Sequence, residues 1–203
     1  MMDRVRRPLW VTAAVALLAL LASPTVGDAQ TGLQLVVTVA FSGPIRPAGG
    51  AYYIAFTVDE SILRGPQPDS TNWTHYVLLR GGRFFFGRVP AVPYRPFGFE
   101  AIRPPEPFFF GEVLPDGRTI RARVPLASLQ TDTLPPGRVK VNVVTVDDNL
   151  QPLDALGPGA RDIFGFVTVE VPRDTFVTFN DPVGDTPQPS FDIVSGDIRL
   201  TVP

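Results

Sequence analysis

The stretch RVKVNVVTVDDNLQPLDALGPGARDIFGFVTVE, residues 138–170, decides how this chain folds. From Val139 to Val143 apolar and polar residues alternate, which is typical of a strand with one buried face. The apolar positions then slip by one, to Val144 and Val146, and such a slip predicts a β-bulge at the rim of a sheet. A loop rich in aspartate, proline and glycine follows, and the stretch closes as a strand. It therefore predicts strand, acidic loop, strand.

Similar alternation recurs along the rest of the chain, separated by turn residues. Gly81-Gly82 predicts a tight hairpin, and residues 125–130 predict a single helical turn. The proline-rich segment 89–107 predicts a rim loop or an edge strand in extended conformation, because proline cannot donate to a central ladder. Together these signals predict an all-β fold, an antiparallel β-sandwich of about nine to ten strands.

The N-terminal segment, residues 1–29, predicts a signal peptide. Arginines precede the apolar run 9–22, and small residues follow it. As a helix the run would span roughly 21 Å, short of the roughly 30 Å hydrocarbon core of a membrane. We expect its removal to leave one domain, residues 30–203, that is extracellular or periplasmic and not membrane-spanning. Within it, residues 181–203 predict either a returning edge strand or the remnant of a following module.

The amino-acid composition excludes several kinds of site and partner. The chain has no cysteine, so disulfides and thiolate metal sites are excluded, and a net charge of −2 argues against a nucleic-acid partner. His75 is the one histidine, and it shares a strand face with Val77 and Leu79, which predicts a packed or hydrogen-bonded side chain. No G-x-S-x-G motif is present. A carboxylate pair for glycoside hydrolysis stays open, from Glu60, Glu100, Glu106 and Glu112 in loops, but nothing in their spacing indicates one. We therefore expect a protein that is not an enzyme.

Calcium is the cofactor that the sequence could still accommodate, because it needs only oxygen ligands. Two acidic clusters offer them: Asp147, Asp148, Asn149 and Asp154 in the central stretch, and Asp181, Asp185 and Asp192 near the C-terminus. Neither follows the EF-hand pattern. The alternative is that these side chains only cap turns, since aspartate and asparagine commonly bond to nearby backbone N–H groups.

A sugar-binding surface is the second hypothesis, because sugar rings pack on aromatic faces while their hydroxyls take hydrogen bonds. The residues that could form such a surface are Asp69, Asn72, Trp73, Tyr76 and Tyr94. Strand alternation puts Trp73 and Tyr76 on opposite faces and predicts that only one of them lies in the core. The alternative is that these aromatic rings pack the proline-rich segment onto the sheet.

Two triplets of phenylalanine, residues 84–86 and 108–110, stand in similar contexts. Three consecutive aromatic rings place bulk on both faces of a strand. Either both faces are covered, or one of them forms an exposed patch for a partner.

The segments YYIAFTVDE (52–60), GPQPDSTNWTHYV (65–77), VNVVTVDDNLQPLDALG (141–157) and DPVGDTPQPSFDIVSGDI (181–198) resemble a group of uncharacterised bacterial exported proteins. More distantly they resemble the DOMON-like β-sandwiches, which include carbohydrate-binding module family 9 and the glucodextranase C-terminal domain. The resemblance implies a sandwich with sugar-, haem- or calcium-binding relatives. Haem fits poorly, because both methionines fall in the signal segment and leave the single histidine without a second axial ligand.

The sequence thus predicts an exported, non-enzymatic binding module for carbohydrate or another component of the cell envelope. The alternative is a purely structural envelope or surface protein without a small ligand. A buried Trp73 and covered phenylalanine triplets would favour the alternative.

Overall fold

The computed structural model describes residues 32–89, 95–96, 98–99, 106–108, 110–130, 136–157 and 165–203. Twelve strands lie in these ranges, together with a 3₁₀ turn at Leu126–Leu129. The strands are β1 (Gln34–Phe41), β2 (Gly50–Thr57), β3 (His75–Arg80), β4 (Arg83–Arg88), β5 (Glu106–Pro107), β6 (Gly111–Val113), β7 (Thr119–Pro125), β8 (Arg138–Asp147), β9 (Pro152–Ala155), β10 (Val167–Glu170), β11 (Phe176–Asn180) and β12 (Ile193–Thr201).

The strands form two antiparallel sheets that pack as a sandwich. One sheet has the order β11-β12-β1-β7-β6, and the other has the order β10-β8-β2-β3-β4-β5, with β9 also pairing with β8. The predicted fold class is confirmed. The count exceeds the predicted nine to ten because of β5 and β9, which have only two and four residues. Strands this short show no readable alternation.

The core lies between the sheets and is built from the apolar faces that the alternation predicts. Val37 and Val39 of β1 are fully buried with Val139 and Val141 of β8 in one apolar cluster. The predicted hairpin is also present, since Arg80 pairs with Arg83 across the Gly81-Gly82 turn. Both glycines have positive φ, 56° and 74°, the backbone conformation that a two-residue hairpin of this kind requires.

The bulge predicted in β8 is absent from its pairing with β2, but where β8 pairs with β9 the register does shift, between Thr145 and Val146. The register runs without interruption from Lys140↔Thr57 to Asp147↔Gly50. Thr145 continues the inward face, and its hydroxyl donates to the carbonyl oxygen of Phe191 at 2.9 Å. The apparent slip arises because β8 is buried on both faces, so Val144 and Val146 are apolar on the outer side.

A second apolar cluster covers the outer face of the seven-stranded sheet. Its buried members are Ala51, Tyr53, Ala55, Trp73, Tyr76, Leu78, Val89, Val144 and Val146. Phe85 and Phe99 pack against it, while Phe84 and Phe86 pack against the main core. The first phenylalanine triplet is therefore partly covered on both faces. Of the second triplet, Phe108 packs on the core, Phe110 is 53% exposed, and residue 109 lies outside the described ranges.

The C-terminal segment 181–203 supplies an internal strand of this sandwich. β12 lies between β11 and β1 and pairs with β1 from Gln34↔Thr201 to Phe41↔Ile193. Across the described part of the chain, no helix has the length and apolar character needed to cross a bilayer. The predicted signal peptide, residues 1–29, lies outside the described residues and stays a prediction.

Candidate metal centre

The turn that joins β8 to β9 is capped by the side chain of Asp147. One carboxylate oxygen of Asp147, Oδ1, accepts the backbone N–H groups of Asn149 at 2.9 Å and Gln151 at 2.8 Å. Asp148 and Asn149 are exposed. The alternative given for this cluster, that its side chains cap a turn, describes Asp147.

Asp154, the fourth residue of the predicted metal set, lies elsewhere. It is on β9 and only 8% exposed. Its Oδ1 accepts the N–H of Ala155 at 2.8 Å, and its Oδ2 accepts the N–H of Ile193 at 2.7 Å. The second bond links β9, which pairs within the seven-stranded sheet, to the first residue of β12 in the other sheet.

This link brings Asp154 to the C-terminal acidic cluster. One carboxylate oxygen from each of Asp154, Asp185 and Asp192 lies within 4.8 Å of the others, a spacing that could hold a metal ion. Asp192 is 2% exposed, and both of its carboxylate oxygens accept the N–H of Gly184 at 3.0 Å. Asp185 is exposed. The structure therefore joins Asp154 of the first predicted cluster to the second cluster, and leaves Asp147, Asp148 and Asn149 apart.

Asp181 is a fourth carboxylate at this site. It follows β11, is 6% exposed, and accepts the N–H of Gly157 on Oδ1 at 2.9 Å. Its other oxygen, Oδ2, is buried without a hydrogen-bond partner among the described residues. The Thr186 hydroxyl, next to Asp185, is also buried and unpartnered there. Leaving such a group unsatisfied costs about 1–3 kcal/mol, so each is suited to an ion or water ligand.

Burial and mutual repulsion oppose ionisation of these carboxyls. Burial raises the pKa of Asp154 to about 7; the hydrogen bond from Ile193 lowers it, and the charges of Asp181 and Asp185 raise it further. Burial likewise raises the pKa of Asp181 to about 6, with a lowering bond from Gly157 and repulsion from Asp185 and Asp192. A bound cation would reverse this balance, because it stabilises the charged form of each group.

The donor set matches a hard cation. Carboxylate and hydroxyl oxygens are the ligands of calcium and magnesium, whereas zinc sites are normally built with histidine or cysteine. Asp154, Asp185 and Asp192 supply one oxygen each. Calcium takes six to eight oxygen ligands in flexible geometry, with water completing the set.

The residues predicted to bind sugar are placed differently. Trp73 and Tyr76 are 2% and 3% exposed, and their ring centroids are 6.2 Å apart in the same outer cluster. The prediction that only one of them lies in the core is wrong. Trp73 and Thr74 precede β3, which begins at His75, so strand alternation does not set the direction of Trp73, and it lies in the same outer cluster as Tyr76.

The polar residues of that predicted surface hold the loop together. Asp69 Oδ1 accepts the N–H of Thr71 at 2.9 Å, and the Trp73 indole donates to the carbonyl of Gln67 at 2.7 Å. Asn72 is buried. Tyr94 lies outside the described residues. Trp73 also packs against Phe99 of the proline-rich segment, with ring centroids 5.6 Å apart, as the alternative for this set stated.

His75 is fully buried and hydrogen-bonded, as predicted. Its Nε2 accepts from the guanidinium of Arg88 at 3.0 Å, so the ring proton resides on Nδ1, which lies 3.0 Å from the hydroxyl of Thr74. Burial, with a smaller effect from the charge of Arg88, lowers the pKa of His75 to about 3. The imidazole is therefore neutral at physiological pH.

Sequence reasoning named all the carboxylates of the site but assigned Asp154 to the wrong neighbours. The signal it lacked was the pairing of β9 with β8 and of β12 with β1, which brings Asp154 next to residue 193. Comparison with protein-family models, with curated proteins and with solved structures finds no match for this chain.

Proposed function

We propose that this chain is a calcium-binding β-sandwich module in which the ion has a structural role. One observation carries the proposal: oxygens of Asp154, Asp185 and Asp192 lie within 4.8 Å of one another. Asp181, whose Oδ2 is buried without a partner among the described residues, feels the charges of Asp185 and Asp192. An ion at this position would join β9 of one sheet to the start of β12 in the other. It would also neutralise carboxylates that otherwise repel one another.

Calcium fits this site better than magnesium does. Magnesium demands near-ideal octahedral geometry and keeps much of its water, whereas calcium tolerates an irregular set of carboxylate and hydroxyl oxygens. Export, as the N-terminal segment predicts, would place the module where calcium is plentiful. Extracellular modules bind this ion with a Kd of roughly 10⁻⁴ to 10⁻³ M.

The burial of Trp73 and Tyr76 supports a structural role over sugar binding. A sugar platform needs exposed aromatic faces, and these two rings are covered by their neighbours in the outer cluster. Trp73 and Tyr76 therefore offer no exposed surface to a polysaccharide or to another envelope component. The envelope or cell surface stays the proposed setting.

The test is thermal and urea denaturation of the purified protein in chelator, in about 10 mM calcium and in about 10 mM magnesium. For a Kd of 10⁻³ to 10⁻⁴ M, calcium should raise the free energy of unfolding by about 1.4–2.7 kcal/mol. Magnesium should raise it less.

Two exposed aspartates give a matched pair of variants for this test. Asp185→Asn should reduce the calcium effect, whereas Asp148→Asn, in the capping turn, should leave it unchanged. Equal stability in chelator and in calcium would refute the proposal, and so would a calcium effect that Asp148→Asn removes and Asp185→Asn keeps.

A further inference from the structure

The segment that joins β11 to β12 carries three of the four carboxylates of the site. We call residues 181–192 the acidic loop and residues 182–187 its tip. Asp181 and Asp192 stand at the two ends of the acidic loop, and Asp185 stands in the tip. The two halves of this loop are held to the sandwich very unequally.

The second half of the acidic loop is tied to several strands. Phe191 is buried, and its ring stacks on that of Tyr52 with centroids 5.0 Å apart. The backbone carbonyls of residues 189–192 accept four hydrogen bonds from the strands and the turn after β1. The donors are the Gly43 N–H to Pro189 O (2.7 Å), the Tyr52 hydroxyl to Ser190 O (2.9 Å), the Thr145 hydroxyl to Phe191 O (2.9 Å) and the Ser42 N–H to Asp192 O (2.9 Å). This half stays in place because both sheets contribute to its anchoring.

The tip has far less to hold it. Val183 is 67% exposed, and Gly184 and Asp185 are exposed as well. Among the hydrogen bonds of the described residues, the contact of the Gly184 N–H with the Asp192 carboxylate is the one that attaches residues 182–187. Thr186 is 5% exposed, but its hydroxyl has no partner there.

Electrostatics favour release of the tip when no ion is bound. The charge of Asp185 repels both Asp154 and Asp181. A segment attached by few bonds opens at low free-energy cost, and repulsion between carboxylates lowers that cost further. A cation changes the sign of the interaction, because it attracts every carboxylate at once. It would also give the unpartnered Asp181 Oδ2 and Thr186 hydroxyl a ligand.

We propose that bound calcium controls the order of the loop tip: the ion ligates Asp185 and Thr186 and holds residues 182–187 against β9 and β12, and the tip detaches without it. The rest of the sandwich stays folded in both states, since the second half of the acidic loop is anchored independently. This inference rests on the calcium site proposed above and adds its conformational consequence.

The absence of cysteine makes a direct test simple. A Val183→Cys substitution provides a single attachment point for a nitroxide spin label, at a side chain already 67% exposed. We expect a narrow, mobile spectrum in chelator and a broadened, immobilised spectrum in calcium. The half-point of the change should fall at roughly 10⁻⁴ to 10⁻³ M calcium.

Two matched controls identify the cause of the change. A label at Leu63→Cys, which is 80% exposed and follows β2, should give the same spectrum in chelator and in calcium. Adding Asp154→Asn to the Val183→Cys protein should abolish the response, because it removes one charge of the site on β9. Far-ultraviolet circular dichroism should stay unchanged by chelator, which shows that the sandwich remains folded.

Calorimetric titration of the same labelled protein separates the two proposals. Calcium binding without any change at Val183→Cys overturns the tip ordering and leaves the calcium site standing. No calcium binding overturns both. Immobilisation that also occurs at Leu63→Cys would show a general tightening of the protein and would likewise overturn the local mechanism.

Discussion

Asp154 is the residue on which the chemistry of the site depends. Backbone N–H groups of Ala155 and Ile193 orient its carboxylate at 2.8 and 2.7 Å. These bonds favour the charged form, but burial and the charges of Asp181 and Asp185 oppose it more strongly. The carboxylate is therefore held in a fixed orientation, while its ionised form is electrostatically unfavourable. That combination is typical of positions where function, rather than stability, selects the side chain.

The metal-free protein should lose stability as pH rises through this group's range. The folded pKa of Asp154, about 7, is above its ordinary 3.8. Its contribution is therefore complete below pH 3.8 and is lost as pH rises towards 7. An amide in place of the Asp154 carboxylate can accept only one of the two backbone N–H bonds, so Asp154→Asn has a cost at every pH. In chelator, its effect on the free energy of unfolding should nevertheless be about 1–2 kcal/mol more favourable at pH 8 than at pH 4, allowing for solvent screening, because only at pH 8 does it remove the ionised carboxylate.

Urea denaturation of both proteins at several pH values measures this difference. Asp148→Asn is the control, because that side chain is exposed in the capping turn and its removal should change stability equally little at pH 4 and pH 8. An effect of Asp154→Asn that is no more favourable at pH 8 than at pH 4 would contradict the electrostatic account, since it would mean that ionisation of this carboxylate does not lower the stability of the metal-free protein.

At the level of elements, the alternation of apolar residues was sufficient to predict the inward faces. β1 follows the pattern throughout, since Leu35, Val37 and Val39 point inward and their neighbours are partly exposed. β8 does not follow the pattern, because its outer face is covered as well. At one end an apolar cluster covers Val144 and Val146. At the other end Asn142 donates a hydrogen bond to the carbonyl of Pro66 at 2.8 Å. Which loops cover a sheet is a tertiary property that a local pattern does not contain.

The outer cluster makes a prediction about β4. A Cβ atom added at Gly87 would collide with the ring and hydroxyl of Tyr76 on the neighbouring strand. Gly87→Ala should therefore displace Tyr76 and lower the free energy of unfolding by about 1–3 kcal/mol, as is usual for overpacking. Urea denaturation measures the loss.

Gly32→Ala is the matched control, because nothing lies within 4 Å of a Cβ added there. Its effect should stay within about 0.5 kcal/mol. If Gly87→Ala were equally neutral, Tyr76 would not be packed against β4, and the burial of the predicted sugar-binding residues would have to be reconsidered.

For the whole molecule, the sequence predicted the sandwich but not the contact between Asp154 and the segment that joins β11 to β12. Asp147 and Asp148 are close to Asp154 in sequence, yet the partners of Asp154 come from residues 185 and 192. That encounter depends on β9 folding back onto β8 and on β12 entering the sheet beside β1. Such long-range pairings follow from the packing of two sheets, and no short-range spacing encodes them.

The same limit explains the sugar-binding hypothesis. Trp73, Tyr76 and the polar residues near them have the right chemistry for a sugar platform, but chemistry does not tell a platform from a packed cluster. The structure places Trp73 5.4 Å from Tyr53 and 5.6 Å from Phe99, ring centroid to ring centroid. The Trp73 ring is therefore packed against other aromatic rings and is not exposed for a sugar to stack on.

The central claim is that one calcium ion joins the two sheets through Asp154 and Asp192. Isothermal titration of calcium into the wild-type protein, Asp154→Asn and Asp192→Asn tests it most directly. We predict about one ion per wild-type chain, with a Kd of roughly 10⁻⁴ to 10⁻³ M. Each substitution should weaken binding by about tenfold or more, which corresponds to about 1.4 kcal/mol. Undetectable binding to the wild-type protein, or binding that either variant leaves unchanged, would contradict the claim.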